Sequence, residues 1–230
     1  MTPALPTTDR TPTTDRTPST DRRPHLLVVS GPPGAGKTTL AHALADALGR
    51  PAVCRDSIKE RMAAARQAQA QAEDLDPDVD QDLNQRTLTE FFRTVDGLLR
   101  AGTDLVAEAA FQDRLWRPGL LPLVGRAELR IVRCTVDPGT ARERIARRAA
   151  EEPGRAVHAD GELLRRIARG ERPIESWVPI ALDAPCLAVD TTRGWNPPLE
   201  RITAFAAGAA GVTEEPSGRV GNHVPRGRKS

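Results

Sequence analysis

The sequence predicts an α/β fold in which a five-stranded parallel sheet lies between two layers of helices. Short apolar runs of strand length alternate along the chain with segments of helical spacing. A Gly-rich turn directly follows the first of these runs. Hydrophobic residues make up 39% and charged residues 28% of the 230 residues, as in globular domains. Folds of this class bind ligands at the carboxyl ends of the strands, so we expect the functional residues there.

The predicted elements follow in order along the chain. Strands are expected at 25–30, 51–54, 104–110, 129–136 and 186–190. Helices are expected at 39–48, 76–102 and 137–150. The segment 76–102 carries apolar residues at three-four spacing, which indicates one buried face. The last helix opens with Asp137, a good N-cap residue, and with Pro138, which is favoured at the first helical position.

Both ends of the chain differ in composition from its middle. Residues 1–23 hold imperfect copies of a Thr- and Pro-rich six-residue unit, PTTDRT. Such a segment buries too little apolar surface to offset its ordering entropy, so we expect a disordered tail. The Gly-, Pro- and Arg-rich residues 211–230 are expected to form a second one. The folded domain is therefore predicted to span residues 24–210.

Charge and side-chain types exclude several classes of protein. The formal net charge of +2 excludes a uniformly basic nucleic-acid binder. Aromatic residues make up 3% and Tyr is absent, which argues against a stacking platform and a long nucleic-acid substrate. No apolar run approaches the roughly 18 residues of a membrane helix, and no signal peptide is evident, so we expect a cytoplasmic protein. The three cysteines lie in apolar runs without metal-ligand spacing and are expected to be buried thiols.

Residues 31–38, GPPGAGKT, fit the pattern G-x-x-x-x-G-K-[ST] between a predicted strand and a predicted helix. In this context the backbone N–H groups and the following helix N-terminus bind the phosphates of a nucleotide. Lys37 is expected to contact the β- and γ-phosphates, and the Thr38 hydroxyl to ligate Mg²⁺. The motif therefore predicts ATP and Mg²⁺ as cofactors. The expected nucleotide contacts are Gly31, Pro32, Pro33, Gly34, Ala35, Gly36, Lys37, Thr38 and Thr39.

A second motif, RDSIKERM at residues 55–62, follows the second predicted strand. A carboxylate at Asp56 would face the acceptor across the phosphate loop, where it could orient a hydroxyl and accept its proton. The same residue could also cap a helix that begins at Ser57. Lys59 lies one turn further on and is expected to hold an anionic acceptor or a phosphate. Arg55 and Arg61 are interpreted as solvated charges.

These two motifs together resemble the AAA-type, zeta toxin-like group of small P-loop kinases. That group is similar to chloramphenicol phosphotransferase and to the kinase domain of polynucleotide kinase. The resemblance extends to blocks at 105–120, 132–148 and 187–202. It implies a P-loop NTPase fold of three α/β/α layers with a small helical lid, for which residues 151–162 are the candidate. It also implies that Asp56 is the catalytic base.

The resemblance assigns roles to four further residues. Glu108, at the end of the third strand, matches an acid that holds Mg²⁺. Arg144 and Arg148 match lid arginines that close on the phosphates, where they stabilise charge on the transferring group; surface basic charge is the alternative. Asp190 lies in a segment that resembles the loop beside the adenine, and an ordinary strand-to-helix turn is the alternative there.

The segment after Glu108 is expected to be a loop on the acceptor side. Arg114 is the candidate substrate-binding residue within it. Trp116, two residues later, fits the hydrophobic core and the wall of an acceptor pocket equally well.

The sequence leaves three classes of function open. The first is an ATP-dependent kinase that phosphorylates a hydroxyl of a small molecule. The second is a polynucleotide or nucleoside 5′-kinase. The third is an ATP-binding or ATP-hydrolysing module without an acceptor. An oligomeric AAA+ motor is disfavoured, because the adjacent acid pair of such motors is missing from LVAEAAF at 105–111.

Overall fold

A computed structural model of the protein describes residues 22–73, 80–151, 166 and 177–208. Its strands are β1 (His25–Ser30), β2 (Ala52–Cys54), β3 (Leu105–Glu108), β4 (Glu128–Thr135) and β5 (Cys186–Asp190). Its helices are α1 (Lys37–Leu48), α2 (Arg55–Glu73), α3 (Asp80–Arg100), α4 (Asp113–Val124), α5 (Pro138–Glu151) and α6 (Leu199–Ala206). The predicted tails and the candidate lid fall outside the described residues, except for Arg22, Arg23 and Glu151. The domain boundaries therefore stay predictions.

The described strands form one five-stranded parallel sheet, as the sequence predicts. Their order in the sheet is β2-β3-β1-β4-β5. Val29 on β1 pairs with Glu108 on β3 and with Val132 on β4, so the carboxyl ends of the central strands are level. One face of the sheet packs against α2, α3 and α4. The other packs against α1 and α6. This is the three-layer α/β/α arrangement, with an apolar core on each side of the sheet.

Local signals in the sequence set most element boundaries. β1 and β5 have the predicted bounds. The Thr140 N–H donates to Oδ1 of Asp137 across 3.0 Å, so Asp137 caps α5 as expected. α1 ends at Gly49, whose φ of +61° lies in the left-handed region that glycine adopts at little cost.

The start of α2 corrects one expectation. The helix begins at Arg55, directly after β2, rather than at Ser57. Asp56 therefore lies within the first turn, where a carboxylate interacts favourably with the helix dipole, rather than at the capping position. Its side chain stays two-thirds exposed.

The segment after Glu108 corrects another. It forms helix α4 rather than a loop, although the helix contains Pro118 and Pro122. Each proline removes a backbone donor and disfavours helix, which is why the sequence did not predict it. Burial of the side chains of Trp116, Leu120 and Leu123 stabilises the helix against that cost.

Two further observations concern the helices. α6 was not predicted from the sequence, because it is only eight residues long and follows two prolines. None of the helices that the structure describes is both long and apolar enough to cross a lipid bilayer.

Candidate nucleotide and acceptor site

The phosphate loop connects β1 to α1 at the centre of the sheet. Gly34 and Gly36 have φ values of +77° and +64°, which side chains rarely tolerate. A Cβ atom on Gly34 would also lie 2.6 Å from the carbonyl oxygen of Ala141 on α5. Nζ of Lys37 donates to the carbonyl oxygen of Pro32 across 3.1 Å, so the lysine folds back over the loop. The loop has the curvature of an anion-binding nest, and it also contains Gly31, Pro33 and Ala35, with Thr39 in the first turn of α1.

Glu108 lies beside the loop, at the end of the neighbouring strand β3. Glu108 is 2% exposed, and its Oε2 accepts a hydrogen bond from Oγ1 of Thr38 across 3.2 Å. Burial raises the pKa of the Glu108 carboxyl above its usual range, and Asp56 adds to this. Lys37 and the Thr38 hydroxyl act in the opposite direction. The two residues predicted to ligate metal are therefore in direct contact.

This oxygen pair fits Mg²⁺. Mg²⁺ binds protein through one or two oxygen ligands and completes its shell with phosphate and water. The described residues contain no group of three or more His, Cys, Asp or Glu side chains that could hold a metal ion. Thr38 and Glu108 suit a metal shared with a nucleotide rather than a closed structural site.

Cys54 borders the same carboxylate. Its Sγ lies 3.8 Å from Nε2 of His42, and the thiol is buried beside Glu108. Burial, together with the charges of Glu108 and Asp56, raises the pKa of Cys54 to about 12. The thiol therefore stays protonated at neutral pH and is not a nucleophile. Cys134 and Cys186 are buried as well, so the expectation for all three thiols is confirmed.

Asp56 lies two residues after the end of β2, in the first turn of α2. In the sheet order, β2 is two strands from β1, which leads into the phosphate loop. Nη1 of Arg55 lies 3.0 Å from Oδ1 of Asp56. Nη2 of the same guanidinium donates to Oδ1 of Asn84 on α3 across 2.8 Å. Arg55 thus connects the candidate base to α3, a role that the sequence did not indicate, because Asn84 lies 29 residues away. Lys59 is half-buried one turn along α2.

Arg144 on α5 clamps the loop after β5 onto the phosphate loop. Its Nη2 donates to the carbonyl oxygens of Thr191 and Thr192 across 2.6 and 3.2 Å. Its Nη1 lies 3.4 Å from the carbonyl oxygen of Gly34. The Thr191 hydroxyl lies 3.0 Å from the carbonyl oxygen of Ala35 as well. The arginine thus lies at the phosphate loop, and backbone carbonyl oxygens accept its hydrogen bonds.

The remaining predicted site residues lie at the end of β5 and on the helices α4 and α5. Asp190 ends β5 and accepts a hydrogen bond from the N–H of Thr192 across 2.8 Å, which shapes the turn after the strand. Hydrogen bonds from Thr192 lower the pKa of the Asp190 carboxyl. Arg148 is exposed one turn beyond Arg144 on α5. Arg114 is exposed in the first turn of α4, away from the buried face of that helix.

Two tryptophans lie near the segment that follows Glu108. Trp116 is 3% exposed and packs edge-on against Phe91, so it belongs to the core. Trp177 is half-buried, and its Nε1 donates to the carbonyl oxygen of Ala110 across 2.8 Å. This bond holds residues 177–182 over the loop that follows Glu108, a contact between segments 67 residues apart that no local pattern predicts.

Solved structures share this arrangement. A candidate kinase from Chloroflexus aurantiacus j-10-fl is 25% identical, with a TM-score of 0.63 over 81% of this chain and 98% of its own. A sugar kinase from Janibacter sp. HTCC2649 has 17% identity and a TM-score of 0.50, over 80% of this chain and 93% of its own. Shikimate kinase from Acinetobacter baumannii has 19% identity and a TM-score of 0.50, over 81% and 95%. The fold is therefore the kinase-like P-loop fold.

Comparison of sequences gives the family. No curated protein sequence matches the chain. The model of the AAA domain family matches residues 26–173, which include the phosphate loop, Asp56, Glu108 and Arg144. This span is well over half of the chain and confirms the resemblance inferred from the motifs. The chain belongs to the AAA domain family and has its P-loop kinase-like fold.

Proposed function

We propose that the protein is an ATP-dependent kinase that transfers the γ-phosphoryl group of ATP to a hydroxyl of a small-molecule acceptor. The observation that carries this proposal is that the phosphate loop, the Thr38–Glu108 pair and Asp56 all lie at the carboxyl ends of the strands. The loop and the Thr38–Glu108 pair are at the middle of the sheet, and Asp56 lies two strands away in an exposed helix turn. A module that only bound nucleotide would have no need of this acid.

On this proposal the phosphate side works by positioning charge. The N–H groups of residues 31–38 and the Lys37 ammonium bind the β- and γ-phosphates. Lys37 exchanges its present bond to the Pro32 carbonyl for the phosphate oxygens. Thr38 and Glu108 hold Mg²⁺, which when bound neutralises charge on the phosphate oxygens. Arg144 and Arg148 add positive charge from α5.

The acceptor side supplies orientation and a proton acceptor. Asp56 accepts a hydrogen bond from the acceptor hydroxyl and takes its proton as the oxygen attacks phosphorus. The bond from phosphorus to the ADP oxygen breaks as the new bond forms, and ADP leaves. Phosphoryl transfer depends mostly on alignment, so the main contribution of Asp56 is to position the hydroxyl. Arg55 holds its side chain, and Lys59 and Arg114 are the proposed contacts to the acceptor.

The test separates binding from transfer. Lys37→Ala should weaken ATP binding by about 10- to 100-fold in calorimetry, because charged hydrogen bonds are lost. Asp56→Asn should keep ATP affinity and lower acceptor-stimulated ADP release by about 100-fold. Asp46→Asn, at an exposed acid on α1, is the matched control.

The acceptor screen uses sugars, sugar acids, aminoglycoside-type antibiotics and a 5′-hydroxyl oligonucleotide, so that the polynucleotide-kinase alternative is measured alongside. ATP binding that survives Lys37→Ala unchanged, or an equal loss of binding and transfer in Asp56→Asn, would reject the proposal.

A further inference from the structure

The site contains an arginine that has no role so far. Arg133 is on β4 and is the strand neighbour of Ser30, the last residue of β1 before the phosphate loop. Residues paired in a parallel ladder project to the same face of the sheet. Leu129 and Ile131, four and two residues before Arg133, lie in the core on the face covered by α2, α3 and α4. Because side chains alternate along a strand, Arg133 and Ser30 project to that face as well.

Both side chains bear buried polar atoms without partners. Ser30 is 0% exposed, and its Oγ has no hydrogen-bond partner. Nε of Arg133 is buried without a partner. Among the described residues, no carboxylate forms an ion pair with this guanidinium. Buried donors are nearly always satisfied in proteins, so an adjacent pair of unsatisfied ones indicates a group that binds there.

The face of the sheet to which Arg133 and Ser30 project indicates which substrate binds there. Arg144 contacts Gly34 and Thr191, and the Thr191 hydroxyl contacts Ala35, which belongs to the core on the opposite face of the sheet. Arg133 and Ser30 lie on the side of α2, which carries Asp56 and packs its Ile58 into the same core. A ligand that reaches Arg133 therefore belongs to the acceptor half of the site.

The dimensions set the size of that ligand. Asp56 follows β2, and Arg133 lies near the end of β4, three strand-to-strand spacings away in the sheet order. Neighbouring strands are about 4.8 Å apart, so the two positions are separated by about 14 Å. The two side chains span part of this distance. The remainder accommodates a molecule in which several carbons separate the hydroxyl at Asp56 from the group at Arg133.

We propose that Arg133 and Ser30 bind an oxyanion of the acceptor, which makes the substrate a small hydroxyl compound that carries a carboxylate or a phosphate. This inference rests on the proposed kinase function, because it names the class of acceptor. The guanidinium supplies the charge and a flat pair of donors that match an oxyanion. The Ser30 hydroxyl supplies a third donor from the base of the phosphate loop.

The direct test follows the Nε–H signal of Arg133 by NMR in the full-length protein. Arg133→Met identifies the signal by removing it. The protein is titrated with glucose, gluconate and glucose 6-phosphate, which share a sugar frame and differ in charge. The titrations are made with and without Mg²⁺ and a nonhydrolysable ATP analogue. Gluconate or glucose 6-phosphate should move the signal and glucose should not, and the member that acts shows whether the anion is a carboxylate or a phosphate.

The affinity of the same probes is then measured in variants of Arg133 and Ser30. Arg133→Met should weaken binding of the active anionic probe by about tenfold or more, as loss of charged hydrogen bonds predicts. Arg133→Lys should restore part of it, and Ser30→Ala should weaken it less. Arg201→Met, at an exposed arginine on α6, is the control. ATP-analogue affinity should be unchanged in all of them.

Three results would overturn the inference. One is a signal that neither anion moves. The second is a signal that the ATP analogue alone moves, which would make Arg133 a nucleotide contact. The third is a marked fall in the melting temperature of Arg133→Met, because removal of an unpaired, partly buried charge should not destabilise the fold. Failure of the kinase function itself appears elsewhere, in loss of ATP binding or of its dependence on Lys37.

Discussion

Oγ1 of Thr38 and Oε2 of Glu108 are 3.2 Å apart, across the gap between the first turn of α1 and the end of β3. Glu108 is nearly inaccessible to water, and Lys37 is the first of the groups that favour its charged form. Burial disfavours the charged form of this carboxyl. A cation bound beside Thr38 would stabilise the charged form, because it places a positive charge next to the carboxylate.

Glu108→Gln should therefore weaken Mg²⁺-dependent ATP binding by about 10- to 100-fold, the usual effect of losing a group that ligates or supports a metal. ATP binding measured in EDTA should change little. Calorimetric titrations with and without Mg²⁺ make the comparison, and Glu200→Gln on α6 is the control. Equal weakening in both conditions would mean that Glu108 shapes the loop rather than serving the metal.

The bridge from Asp56 through Arg55 to Asn84 predicts a positioning role for Arg55. Arg55→Met should lower the turnover number by about tenfold and leave ATP affinity unchanged, because the carboxylate loses its fixed orientation. Arg55→Lys should recover part of the rate, whereas Arg61→Met, at an exposed arginine further along α2, should have no effect. If turnover of Arg55→Met equals that of the wild type, Arg55 is a surface charge after all.

Arg144 and Arg147 provide a matched pair on α5. Arg144 donates to the backbone of Thr191 and Thr192, whereas Nε of Arg147 lies 3.9 Å from Oε1 of Glu151. Arg144→Met should cost about 2 kcal/mol, since it leaves carbonyl oxygens without donors. That corresponds to a fall of roughly 5 °C in melting temperature for a chain of this size. Arg147→Met should melt with the wild type, and equal melting of both variants would contradict the clamp.

At the amino ends of the strands, the carboxyl of Asp104 makes the stability of the fold depend on pH. Asp104 is partly buried, which favours its neutral form, but the N–H of His25 and the guanidinium of Arg22 outweigh this and hold the pKa of Asp104 below its usual range. A lowered native pKa stabilises the fold above the unfolded-state value, near 3.9, and this contribution is lost as the pH falls through the native pKa.

Asp104→Asn should accordingly lower the melting temperature by a few degrees near pH 7, equivalent to about 1 kcal/mol. The difference from the wild type should shrink as the pH is lowered below about 4. Calorimetric scans across this range make the measurement, with Asp46→Asn as the control. A difference that persists at low pH would show that packing, rather than charge, is responsible.

The phosphate loop and the strands could be predicted because their signals are local. Three glycines, a lysine and a threonine at fixed spacing between an apolar run and a helix describe one structure. Trp116 could not be assigned in the same way, since the sequence fits it to a core and to a pocket wall alike. Only its contacts with Phe91 and Phe111 place it in the core.

Local sequence was enough to predict the five strands, the nucleotide loop and the acid that follows β2, because each depends on residues close together in the chain. The tertiary structure decided what surrounds them. It formed α4 despite two prolines, attached Arg55 to Asn84, and paired Arg133, whose Nε lacks a hydrogen-bond partner among the described residues, with Ser30 across the strands. These relations join segments tens of residues apart, and only the packing of strands and helices around the sheet brings such segments into contact.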